Sequence, residues 1–125
     1  MEQMDRNLRM IIGGWAVFVL MAVLVIAVRG SDHVANMLVF VVIAVAMATW
    51  VARRRSRAAV VTSLVLGGLH TLQQTAYVLA GITADNADAA EISVDVVGLL
   101  SGLLLVVGAA RAVSRSPRQP VDAAH

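Results

Sequence analysis

One predicted helix carries a cluster of polar side chains within an otherwise apolar segment. Its members recur at positions i, i+3, i+4 and i+7: His70, Gln73, Gln74 and Tyr77. This spacing places them on one face of an α-helix. An imidazole there could ligate haem, contribute to a quinone site or relay a proton. Polar groups in hydrocarbon also need partners, and we favour a neutral His70 that bonds to an Asn, Thr or Gln of a facing helix.

Asp95 is the one carboxylate that falls inside a predicted span. It has two interpretations. With Gln74 and Tyr77 nearby, it could be an entry group for a cation or a proton. Alternatively, it lies one turn into its helix, close to the headgroups, where the helix dipole favours a negative charge. We favour the second interpretation.

The composition is that of a membrane protein. Of the 125 residues, 59% are hydrophobic and 14% are charged, and the mean hydropathy is +0.81. Soluble domains are about 45–50% apolar and about 25% charged. Cysteine is absent, so neither a disulfide nor a thiolate ligand is available. We expect no catalytic site, metal or cofactor. The arginines flank apolar segments, so we also expect no nucleic-acid partner.

Four long apolar segments predict the fold class, an all-α membrane protein with four transmembrane helices in an antiparallel up-down bundle. The expected domain organisation is a polar head over residues 1–9, a transmembrane domain over 10–113 and a disordered tail over 114–125. The first segment is longer than the apolar part of a signal peptide, which predicts a retained span. The helices are expected at about 10–28, 34–52, 59–81 and 92–110.

The orientation follows from an arginine cluster between the second and third predicted helices: Arg53, Arg54, Arg55 and Arg57. If this loop is cytoplasmic, nine of the ten arginines lie on that side and only Arg29 lies outside. We therefore predict a multi-pass protein of the bacterial cytoplasmic membrane with both termini inside. The cluster also predicts attraction to anionic lipid headgroups.

Small residues predict where helices approach closely. Gly98 and Gly102 form a GxxxG pattern in the fourth helix, and Gly67 lies in the third. These glycines are candidates for packing within the bundle or between copies. Trp15, about one turn inside the charged end of the first helix, is expected at the headgroup boundary.

The second half of the chain resembles a group of known sequences. It contains Gly68-Leu69-His70-Thr71-Leu72-Gln73-Gln74, then an acidic loop over 85–88 and a glycine-rich last helix. In these features it looks like small four-helix integral membrane proteins of actinobacteria that have no assigned function. Related chains carry a second histidine where this chain has Gln74. The resemblance implies a fold and no activity.

Three functional hypotheses follow. The leading one is a non-enzymatic accessory or structural subunit of a membrane assembly, whose partners are other membrane subunits or further copies of itself. It depends on the small size and on the absence of motifs such as HExxH, GxSxG or a phosphate-binding loop. The alternative is a small proton- or cation-coupled transporter or channel. A haem or quinone membrane anchor is the third.

Overall fold

The computed structural model describes residues 2–115, with side chains for 5–114. This part of the chain consists of helices, which confirms the predicted all-α class. The helices are α1 (Glu2–Arg29), α2 (Val34–Arg54), α3 (Arg57–Thr83) and α4 (Ala89–Arg115), and a 3₁₀ turn, Ser31–His33, precedes α2. Most of the predicted disordered tail lies outside the described residues.

Each helix is longer than its predicted bounds. The difference is largest in α1, which begins at Glu2, so that the predicted polar head is part of the helix. An uncharged segment marks only the part of a helix that hydrocarbon would cover, whereas the backbone hydrogen bonds continue into its polar ends.

Short connections join consecutive helices. Gly30 turns the chain after α1 with φ of 94°, a conformation that glycine adopts without steric cost. After α2, Arg55 adopts a left-handed conformation with φ of 47° and ψ of 28°. Ser56 then caps α3 by accepting a hydrogen bond from the Ala59 amide at 3.2 Å. Before α4, the carboxylate of Asp88 accepts one from the Ala90 amide at 2.9 Å.

Helix α4 is the centre of the packing. It contacts α1 and α3 along most of its length, α1 also packs against α2, and α2 and α3 hardly touch. Helices α1 and α4 are antiparallel. Gly14 in the first half of α1 contacts Leu105 in the second half of α4, and Arg29 at the end of α1 contacts Asp95 near the start of α4. The helices therefore form a curved row in the order α2, α1, α4, α3, with one open side between α2 and α3.

Glycines allow α1 and α3 to approach α4 closely. A Cβ added to Gly67 of α3 would lie 2.6 Å from the Cβ of Leu105, and Gly102 packs directly against Thr71. Toward α1, a Cβ on Gly108 would lie 3.1 Å from the Cγ1 of Ile11. Side chains at these positions would force the helices apart.

Three helices are long and apolar enough to cross a membrane, and they extend over Asp5–Arg29, Ser31–Arg54 and Ala89–Ser114. These three helices are therefore consistent with a membrane protein. Although α3 has 27 residues, it is not among the three because its polar face lowers its hydropathy. That α3 also crosses the membrane remains a prediction.

Candidate functional site

A cleft of about 370 Å³ occupies the open side between α2 and α3. Its apolar lining includes Phe18 and Met21 of α1 and Phe40 of α2, and Arg29, His33 and Asn36 add polar groups from the same side. The lining also contains the five residues that the sequence singled out: His70, Gln73, Gln74, Tyr77 and Asp95. The fold therefore brings the polar face of α3 and the carboxylate of α4 into one cavity.

His70 is bound to α4 through Ser101. Its Nε2 lies 3.0 Å from the Ser101 hydroxyl oxygen, and that hydroxyl donates its only proton to the carbonyl of Gly98 at 2.6 Å. The roles of Nε2 and the hydroxyl depend on the tautomer of His70. With the hydroxyl proton on the Gly98 carbonyl, Nε2 donates to the hydroxyl oxygen in the neutral Nε2–H tautomer, and Nδ1 is an acceptor. The ring packs against Phe18 with centroids 4.6 Å apart. His70 thus has the interhelical bond that we favoured, but its partner is a serine.

Gln73 and Tyr77 form a local pair on the exposed edge of the cleft. The amide nitrogen of Gln73 donates to the Tyr77 hydroxyl oxygen at 3.3 Å. Because that oxygen acts as the acceptor, the phenolic proton remains available to another acceptor. Tyr77 is 45% exposed, so this donor can reach a molecule in the cleft.

Gln74 lies at the base of the cleft and is only 6% exposed. Its carbonyl oxygen Oε1 has no hydrogen-bond partner among the described residues. The oxygen lies beside α4, where a Cβ added to Gly98 would be 2.6 Å from it and 2.7 Å from the sulfur of Met21. An unpaired buried carbonyl costs free energy, and this oxygen is closed off from the cleft because it has almost no accessible surface.

Asp95 forms an ion pair with Arg29 at the end of α1. The Nη2 atom of Arg29 lies 3.2 Å from one carboxylate oxygen and 3.4 Å from the other. Asp95 is 6% exposed. Both contacts use a single nitrogen, so the Nη1 and Nε atoms of Arg29 are left to donate elsewhere within the cleft.

A second, apolar pocket adjoins the cleft. It has a volume of about 190 Å³ and shares four wall residues with the cleft: Phe18, Phe40, His70 and Gln73. Its other walls include Trp15, Leu66 and Leu69, on the side that faces the arginine cluster. We call the two adjoining cavities the groove. Its polar groups lie in the cleft, near Arg29, and the pocket beyond His70 is apolar.

The remaining predicted residues lie outside the cleft or behind it. Gly67, Gly98 and Gly102 lie between α3 and α4. Arg53, Arg54, Arg55 and Arg57 are exposed around the connection from α2 to α3. Trp15 was expected at the headgroup boundary, but it is 2% exposed and donates to the Ser63 hydroxyl at 3.2 Å. Because the indole N–H has this partner in α3, the ring can be buried in the core.

Sequence reasoning missed several parts of the site, among them Arg29 and Phe40 of the lining and Ser101, the partner of His70. A signal existed for Arg29, which is the one arginine assigned to the same end as Asp95, the single carboxylate within a span. No comparable signal pointed to Ser101 or Phe40, because helix spacing alone does not say which faces of separate helices meet.

The described residues contain no group of three or more His, Cys, Asp or Glu side chains arranged to hold a metal ion. No protein-family model, curated protein or solved structure matches the chain. The geometry of the cleft is therefore the basis for a functional proposal.

Proposed function

We propose that this protein is a non-enzymatic component of the bacterial cytoplasmic membrane that binds an amphipathic, membrane-dissolved molecule between α2 and α3. One observation carries the proposal: a cleft with polar groups adjoins an apolar pocket, with four wall residues in common, on the side where α2 and α3 hardly touch. Such a groove suits a ligand with a polar head and an apolar tail.

The positions of the ends of α1, α2 and α4 support a membrane span by α3. The Arg29–Asp95 pair places the end of α1 and the start of α4 at one end of the molecule. The Arg55–Asp5 pair places the end of α2 beside the start of α1, at the opposite end. Since α3 connects the end of α2 with the start of α4, and its 27 residues extend about 40 Å, it has both the position and the length to cross. The arginine distribution then favours cytoplasmic termini.

The unused hydrogen-bonding groups favour a neutral head with a hydroxyl. The cleft offers an acceptor at His70 Nδ1, donors at Tyr77 and Arg29, and the Asn36 amide, which both donates and accepts. A group that only accepts would leave the acceptors unpaired, whereas a hydroxyl both donates and accepts. Because Arg29 neutralises Asp95, the cleft does not provide a free carboxylate for a cation, and the geometry favours ligand binding over cation-coupled transport.

The proposal is compatible with an accessory role. A small subunit that holds a lipid-like molecule needs no catalytic group, and it could present that molecule to a larger assembly. The competing occupant of the same groove is a helix from another membrane protein or from a second copy of the chain, which would cover Gln73 and Tyr77 in the same way.

Mass spectrometry of gently extracted intact protein tests the proposal. We expect a non-covalent ligand of lipid-like mass on the wild-type protein. Val39→Trp should displace it, because Val39 lies in the cleft wall. Val42→Trp is the matched control: Val42 is also an exposed residue of α2, but it is not part of the cleft wall. It should retain the ligand. Equal retention in both variants, or a second protein chain in place of a small molecule, would overturn the proposal.

A further inference from the structure

A separate pocket of about 190 Å³ lies between α1 and α2, at the end of the molecule that carries the arginine cluster. We call it the arginine-end pocket. One part of its wall is charged and consists of Asp5, Arg9 and Arg55. The other part is apolar and includes Leu8, Ile12 and Val51. Two arginines and one aspartate leave one positive charge in excess.

The pocket lies where both helices change from charged to apolar sequence. The uncharged segment of α1 begins at Met10, and that of α2 ends at Ala52. In a bilayer this level is the boundary between hydrocarbon and headgroups, where lipid phosphate groups lie. A ligand at this level would meet charge on one side and apolar side chains on the other.

Arg55 is held in place over the pocket. Its backbone N–H bonds to the carbonyl of Val51 at 3.1 Å, and its left-handed conformation ends α2. Its Nη1 donates to Asp5 at 3.0 Å, which leaves Nη2 and Nε to donate to another acceptor. The exposed side chain of Arg9 forms no side-chain hydrogen bond within the described part of the chain. Two guanidinium groups are thus available to one acceptor-rich group.

We infer that the arginine-end pocket binds the phosphate headgroup of an anionic phospholipid. Arg9 and Arg55 contact the phosphate, and an acyl chain packs on Ile12 and Ala52, the two apolar wall residues with accessible surface. This apolar surface, at the level where the charged sequence ends, favours a lipid over free phosphate. Asp5 is a positioning residue, because it orients Arg55 through their ion pair. The site is separate from the α2–α3 cleft, so neither proposal depends on the other.

The test measures lipid binding to the full chain in neutral detergent by native mass spectrometry. The probes are phosphatidylglycerol and phosphatidylcholine with identical acyl chains. We expect preferential retention of one phosphatidylglycerol. Arg9→Gln breaks no ion pair among the described side chains and should weaken that binding about fivefold, the effect of one arginine near a charged surface. Adding Arg55→Gln should abolish the preference.

The matched control is Arg53→Gln with Arg54→Gln, which removes the same charge outside the pocket wall. It should change binding less than about threefold, because a formed site depends on position and not only on charge. Equal losses in the two double variants would show diffuse attraction and overturn the inference. Competition by millimolar inorganic phosphate would overturn the assignment to a lipid.

Asp5→Asn also distinguishes a formed site from diffuse electrostatic attraction. It removes a negative charge from the pocket, so diffuse attraction predicts tighter binding of phosphatidylglycerol. The formed site predicts weaker binding, because Arg55 loses the carboxylate that orients it. Tighter binding by this variant would contradict the role of Asp5 and the geometry of the site.

Discussion

Two interhelical regions of the molecule differ in a way that separates structure from function. Between α4 and its neighbours, glycines and small polar residues bring the helices into direct contact, and Ser101 is completely buried. Between α2 and α3 the helices hardly touch, and the groove contains charged, polar and aromatic side chains. Contacts of the first kind hold a bundle together. A region of the second kind leaves polar groups in need of a partner and is therefore suited to binding.

The largest expected effect comes from the ion pair that links α1 to α4 beside the groove. Arg29→Gln leaves the buried carboxylate of Asp95 without its partner and should lower the free energy of unfolding by about 3 kcal/mol. The measurement is thermal or denaturant unfolding in detergent. The control is Arg55→Gln, whose pair with Asp5 is exposed and should cost no more than about 1 kcal/mol. Equal costs would mean that the partly buried Arg29 pair is no better shielded from solvent than the exposed Arg55 pair.

Adjacent glycines provide a smaller and sharper comparison. Gly67→Ala places a methyl group 2.6 Å from Leu105 and should destabilise the protein by about 1–3 kcal/mol. Gly68→Ala meets no atom within 4 Å and should be neutral or stabilising by about 0.5–1 kcal/mol, because alanine favours a helix over glycine. The same unfolding assay applies. Destabilisation by Gly68→Ala that matches that of Gly67→Ala would show that close packing is not confined to α4.

The smallest effect concerns the bond between His70 and Ser101. Ser101→Ala removes the acceptor for Nε2 and should cost about 0.6 kcal/mol, the average for hydrogen bonds between membrane helices. Ser93→Ala is the control, since the Ser93 hydroxyl bonds only within its own helix, to the carbonyl of Ala89. If the two variants had equal stability, the His70 bond would contribute nothing to the contact between α3 and α4.

The sequence predicted what depends on local spacing. The face with His70, Gln73 and Tyr77 follows from helical periodicity, and the all-α class follows from long apolar segments. The pairing of Arg29 with Asp95 was missed although both residues were assigned to the same end of the bundle. The pairing of His70 with Ser101 could not be predicted, because it depends on which helix faces meet across more than 30 positions of sequence. The start of α1 was missed because hydropathy reports the lipid-facing part of a helix and not its hydrogen-bonded limits.

The most direct test of the central claim is an experimental structure of the protein in a lipid bilayer. We predict that α2 and α3 remain apart and that elongated density fills the groove between them. Its polar end should lie near Tyr77 and Arg29, and its apolar end near Leu66 and Leu69. Direct packing of α2 on α3, or a helix of a neighbouring chain in the groove, would contradict the account.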